Sequence, residues 1–554
     1  MKFKFILSLI LLASFSAIAG IPRKTTSILA EGTWYKIAVN QTGIHKISYD
    51  DFKNMGVDVA NLNTSTIRVF GNGGGMLAEN NATFRFDDLR ENAIVVHDGG
   101  DGKLDPDDYI LFYGESPDRW VFNYTTRLFS HSKNLYSDFT YYFINTGLTD
   151  GKRVVEKLSS DTTPNTYSRK FDDFRFYETD SLNLIKSGRI WYGEVFNEKK
   201  SEYDFTFSFP NIDTLSPIRM NTSVAGRSSS LSKFYIYFKE KKQDSIVVDF
   251  TDLQSTSLFA RPKTKITNLP QPSSTVNLKI RYDLPDINSI GWLDFIELIC
   301  ARNLKWEGPQ LSFRDANTIG KTNRTEFVMT GANDGITIWD VTDRENIGEV
   351  KGGILLNGTL KFRMRTDTLR EFIAFDGSLY HSVQLEGIVA NQNLHGLAPH
   401  DMVIVTHPLF REYADSLAAF HEMENDLSVV VANTDQIYNE FASGNSDLTA
   451  IRDFVKMLYD RGFPGSEPRY LLLFGDGSYD PKNRVQNNNN YVPTYQSVES
   501  LKFIGTYVTD DYFGIMGDKQ GDGSNGTINI GIGRFPVSTK ADASILLHKI
   551  MHYA

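Results

Sequence analysis

Two hydrophobic patterns divide this chain near His400. Upstream, apolar and polar residues alternate in short runs separated by Gly, Asn, Asp, Ser and Pro clusters. Trp34-Tyr35-Lys36-Ile37-Ala38-Val39 is such a run, and Gly43-Ile44-His45-Lys46-Ile47 repeats it after a turn. Asp50-Asp51-Phe52 reads as a helix start, with acidic side chains at the positive end of the helix dipole. Ile67-Arg68-Val69-Phe70 predicts a further strand, closed by Gly71-Asn72-Gly73-Gly74-Gly75. A second block, from about Arg175 to Leu304, predicts strands over 203–209, 234–239, 246–250, 276–282 and 292–300. Short strands spaced by turn residues indicate a sandwich or jelly roll. Strand character continues through 326–330, 335–342 and 371–375.

Beyond His400 the alternation stops. Residues 401–406 and 469–474 read as buried-strand runs and 427–432 as a largely apolar one, and the stretches between them (410–425, 434–441, 447–460) read as helices. Apolar strands spaced by helices indicate a mainly parallel α/β sheet covered on both faces. The expected organisation is therefore a β-rich N-terminal domain over 20–165, a β-sandwich-like region over 166–395 and an α/β domain over 396–554.

The first residues change the picture of where the chain works. Lys2 and Lys4 precede an apolar run over 5–15, and Ala17-Ile18-Ala19 offers small residues for cleavage. This order predicts an export signal over 1–19, too short for a stable membrane span. With 554 residues, 41% of them hydrophobic, the chain can build two to four cores. A net charge of −10 without a basic stripe excludes nucleic acid as the expected partner. A single Cys allows no internal disulfide. The 26 Tyr and 38 Phe suit a β-rich extracellular protein.

Candidate chemistry gathers where parallel strands end. Asp476, in Gly475-Asp476-Gly477, can ligate a cation, orient a base or cap a turn. Asp510 and Asp511, beside Tyr507, Tyr512 and Phe513, can form a pocket for a basic side chain or a solvated turn. Asp98, Asp101 and Asp105 lie in an acidic glycine loop that could hold structural calcium, although its spacing departs from the EF-hand pattern and the twelfth-position Glu is missing. Asp518 and Asp522 make a shorter loop of the same kind, and both loops also read as plain turns. Cys300 ends an apolar strand and reads as a buried structural thiol. His548 and His552 are four apart but lack the Glu and third ligand of a zinc site.

The strand 402–406, the run Tyr470-Leu471-Leu472-Leu473-Phe474-Gly475-Asp476, the turn Asp510-Asp511-Tyr512 and the glycine-spaced strand Gly531-Ile532-Gly533-Arg534-Phe535-Pro536 resemble, in this order, the first part of a gingipain-type cysteine peptidase domain. The segment 546–553 resembles the helix that follows. Gly32-Thr33-Trp34-Tyr35-Lys36-Ile37, 43–47 and 105–114 resemble the start of the sorting-peptidase branch of that family, which serves type IX secretion. The resemblance implies a caspase-like α/β fold, incomplete here, with a catalytic His and Cys lying beyond residue 554. It implies removal of C-terminal sorting domains from type IX cargo at the outer membrane or cell surface. Cargo proteins, outer-membrane secretion components and an anionic lipopolysaccharide acceptor would be the partners. The chemistry would be thiolate attack on a peptide carbonyl, with no cofactor required. Glu499 falls where the family places an acid that supports the catalytic His. Asp510 falls at the floor of the arginine-specific pocket, with Asp511 exchanged for it by a slip of one residue. The rival expectation is a non-catalytic surface adhesin or carbohydrate-binding protein; a third is a calcium-dependent structural module.

Overall fold

A computed structural model describes residues 23–254 and 257–553. The expected export signal lies outside the described residues.

Near the N-terminus, Thr33–Val39 is paired on one side with Thr140–Thr146 and on the other with Gln384–Val389. The helix expected around Asp50 is Tyr49–Met55. It starts there because the Ser48 side chain accepts from the Asp51 N–H while Asp51 reciprocates, and it stops at Gly56, whose φ of +88° is costly for other residues. Strand pairing crosses the expected break at 165: Val155–Leu158 pairs with Gly348–Lys351, as Thr33–Val39 does with Gln384–Val389. Residues on both sides of the sandwich in sequence thus share sheets.

The sandwich lies between these pieces. One sheet has the order Lys170–Tyr177, Ile290–Asn303, Ile218–Arg227, Arg261–Leu269; the other Glu202–Ser208, Thr275–Asp283, Ser232–Phe238, Lys241–Val248. Thr275–Asp283 alternates buried and exposed along its length, burying Val276, Leu278, Ile280 and Tyr282. Cys300 belongs to the same core, as expected, and burial pushes its thiol pKa up.

The C-terminal region is the expected parallel sheet, in the order β2 (Val429–Asn433), β1 (Met402–Thr406), β3 (Tyr470–Phe474), β4 (Gly531–Phe535). Helices α2 (Thr434–Phe441) and α3 (Thr449–Arg461) cover one face. Helices α1 (Arg411–Asn425) and α4 (Lys540–Tyr553) cover the other. All five residues of β1 are buried, which explains its unbroken apolar run. Among the described residues no helix is long and apolar enough to cross a membrane.

Candidate active site

The C-terminal ends of β1, β3 and β4 are tied together by short polar contacts. Thr406, fully buried, donates through Oγ1 to the Phe474 carbonyl (3.1 Å). The N–H of Gly475 donates to the Phe535 carbonyl and that of Asp476 to the Val537 carbonyl, both at 3.0 Å. The Asp476 carboxylate accepts from the Gly477 N–H (2.9 Å), from Asn489 and from Ser538 Oγ (3.2 Å). Of its three possible roles, the contacts supply the turn cap, which pins the loop after β3 to the segment after β4. Asp480, fully buried, folds that loop by accepting from the Val485 N–H (2.7 Å), the Lys482 N–H (3.2 Å) and Arg484 (3.4 Å).

Asp510 faces Arg534 of β4. The pair is bidentate, Nε to Oδ2 and Nη2 to Oδ1, both 2.7 Å. The other guanidinium hydrogens reach the carbonyls of Gly475 (2.8 Å), Val492 (2.7 Å) and Pro493 (3.0 Å). This matched fork holds the carboxylate in a fixed plane and closes three loops around one cation. Asp511, one residue on, is exposed and opens the short 3₁₀ turn Asp511–Gly514. The structure therefore separates the two carboxylates by environment, one engaged by an internal Arg and one facing solvent.

Glu499 lies in a tight turn. Its Oε1 accepts from the N–H groups of Ser500 (3.2 Å) and Leu501 (3.1 Å), and its Oε2 pairs with Lys502 Nζ at 2.9 Å. Desolvation alone would raise its pKa; the Lys502 ammonium and the two N–H groups outweigh it and hold the carboxyl below its ordinary value. The group is thus an anion held at the surface of the loop.

The calcium candidates stand differently. Asp98 accepts from Thr64 Oγ1 (2.5 Å) and the Gly100 N–H (3.0 Å), which lowers its pKa. Asp101 caps the Lys103 N–H (2.9 Å), and the Asp105 N–H donates to Asp108 (2.7 Å). Asp518 is paired with Lys456 at 2.8 Å. Among the described residues no three His, Cys, Asp or Glu side chains converge as a metal-binding group. Asp98, Asp101 and Asp108 each accept a backbone N–H of their own loop, the contacts of a turn. His548 and His552 are exposed on α4.

Sequence reasoning passed over Arg534, Asp480 and Arg189. Arg534 stands inside the glycine-spaced strand, and its position near the end of a parallel strand is the available signal. Arg189 carries none, because its partners Glu79 and Gln496 lie 110 and 307 positions away.

Residues 395–554 match the model of Peptidase family C25. No curated protein matches the chain in sequence. The crystal structure of dimeric latent PorU from Porphyromonas gingivalis is 25% identical, with a TM-score of 0.82, and the match covers 96% of this chain and 51% of that one. This chain thus spans about half the length of that relative. A calcium- and xylotriose-bound carbohydrate-binding module, CBM36, matches 22% of this chain and 98% of its own at 14% identity, and its TM-score of 0.17 carries no argument. With both β regions and the parallel sheet shared with PorU, residues 395–554 form a domain of peptidase family C25, the gingipain family.

Proposed function

We propose that this chain is part of an exported, surface-located cysteine endopeptidase that removes C-terminal sorting domains from type IX secretion cargo and transfers the cargo to an anionic lipopolysaccharide. The observation that carries the reading is the extent of the PorU likeness, which runs through both β regions as well as the peptidase domain. A peptidase domain alone would support proteolysis of any kind; the shared N-terminal architecture favours the sorting activity. In this reading cargo and outer-membrane secretion components are the partners, and Glu499 supports the catalytic His.

Cys300, the one thiol of the sequence, is not the nucleophile. It is buried in the sandwich core with its pKa raised, the opposite of what a reactive thiolate needs. Asp510 is assigned here to Arg534 and not to a substrate side chain, so the reading does not require cleavage after Arg. The test is incubation of the native protein, isolated from the cell envelope, with a purified cargo protein bearing its sorting domain. Release of that domain, abolished by thiol alkylation, is expected. Intact cargo after prolonged incubation, with tight binding to surface glycan instead, would favour the adhesin reading.

A further inference from the structure

The loop 182–192 of the sandwich region reaches the segment that carries Glu499. It is a closed unit: Leu182 and Tyr192 are bridged through their backbones, and Asn183, nearly buried, donates to the Gly188 carbonyl (2.9 Å) while accepting from the Ser187 N–H (3.0 Å). Its tip inserts against residues 496–501. Arg189 donates through Nε and Nη2 to the Gln496 carbonyl (3.1 and 3.0 Å), through Nη1 to Glu79 (2.8 Å) and through its backbone N–H to the Ser497 carbonyl (3.2 Å). The Ile190 N–H donates to Ser500 Oγ (3.1 Å). Gly188 has a φ of +77°, and a Cβ there would stand 2.5 Å from Ser500 Oγ and 2.7 Å from the Glu499 carbonyl oxygen. The close approach therefore requires glycine twice over, for backbone conformation and for space. A second anchor comes from the same region: the Phe259 N–H donates to the Leu501 carbonyl (2.8 Å), and the Leu501 side chain is buried in a cluster with Tyr192, Ala260 and Trp292.

We propose that Gly188 and Arg189 are positioning residues, through which the β-sandwich fixes the turn bearing Glu499 at the C-terminal ends of the peptidase sheet. The turn closes on itself through Glu499 and Lys502, the strand before it pairs with Val508–Thr509 of its own domain, and the contacts from the sandwich region complete its placement from the other side. A surface turn of this kind opens readily unless neighbours order it. Gly188 supplies the close contact, Arg189 the donors, and the sandwich core the rigidity behind both. The consequence for catalysis rests on the peptidase reading above; the placement of the turn does not.

The test uses the native protein carrying Arg189→Ala, Arg189→Lys or Gly188→Ala, with Glu499→Gln as reference. Amide exchange over 495–503 is read against β1 as an internal control, and kcat and KM are measured for sorting-domain release. Arg189→Ala is expected to speed exchange over 495–503 about tenfold and leave β1 unchanged. It should lower kcat with little change in KM, and lower it no further in the Glu499→Gln background, because the two act through one group. Arg189→Lys should recover part of the loss. Gly188→Ala leaves every charge in place and should give the same pattern, which keeps the test open if Arg189→Ala does not fold. Unchanged exchange, or losses that multiply in the double variant, would overturn the proposal. Absence of cleavage by the wild type contradicts the peptidase reading alone, and the exchange result still decides the placement of the turn.

Discussion

Arg534 makes five hydrogen bonds, two to Asp510 and three to backbone carbonyls. Removing the charge of its carboxylate partner leaves a cation that is only slightly exposed without compensation. Asp510→Asn is expected to cost about 2 kcal/mol, less than a fully buried pair because both side chains keep some solvent access. A fall in the urea midpoint of the peptidase-domain transition checks this; an unchanged midpoint would show that the pair is replaceable by water. His395 provides a pH-dependent counterpart. Fully buried, it pairs through Nδ1 with Glu440 of α2 (2.5 Å) and through Nε2 with the Asp87 carbonyl (3.0 Å), with the Asp87 carboxylate 3.4 Å away. Desolvation opposes its charge, and hydrogen bonds to Asp87 and Glu440 outweigh it, raising the pKa to about 9. The folded value lies above the unfolded one, so this stabilisation is complete below about pH 6.5 and is lost as pH rises through about 9. Thermal melts between pH 6 and 10 should show that loss in the wild type and a flatter profile in His395→Gln. Equal slopes for the two would contradict the assignment.

Helix α3 shows what an element read in isolation conceals. Thr449 to Leu458 are all buried, including Arg452, Asp453 and Lys456. Its apolar residues pack on the parallel sheet, while its charged residues meet the N-terminal region and the loop before β4. Asp453 pairs with Arg85, Arg452 donates to the carbonyls of Glu79 and Gly521, and Lys456 reaches Asp518 and the Met516 carbonyl, both at 2.8 Å. Periodicity correctly marks this stretch as a helix but does not show that its charged residues are buried. Two of the partners that bury those charges, Glu79 and Arg85, lie more than three hundred residues upstream, where no local pattern can report them. Arg85→Ala strands the Asp453 carboxylate and should cost about 3–5 kcal/mol. Pairing it with Asp453→Leu should recover most of that in equilibrium unfolding; no recovery would mean that packing, not charge, dominates the contact. The strands of the parallel sheet were legible for the opposite reason. Burial on both faces leaves a continuous apolar run in one short segment, whereas Ile218–Arg227 and Arg261–Leu269 were missed because polar residues interrupt them.

At the scale of the molecule, the peptidase domain is wrapped by the chain that precedes it. The Thr33–Val39 strand region touches it through Lys36, whose ammonium donates to Asn439 and the Gly444 carbonyl, both at 3.2 Å. Glu79 and Arg85 meet α3, and the sandwich holds the Glu499 turn. Residues 396–554 expressed alone would expose buried charges and apolar surface together, so they are expected to aggregate or to lack a cooperative unfolding transition. A sharp calorimetric transition from that piece would contradict this. The resemblance carried by short motifs located the peptidase domain. The polar architecture around it (Arg534 on Asp510, Arg189 on Gln496, His395 on Glu440) became visible only when distant segments were brought together. The most direct test of the account is labelling of the native protein with an electrophilic thiol probe during incubation with a cargo protein, followed by peptide mapping. The account predicts one reactive thiol other than Cys300, whose labelling stops release of the sorting domain. Labelling confined to Cys300, or release of the domain that continues after complete alkylation, would contradict a cysteine peptidase of the sorting type.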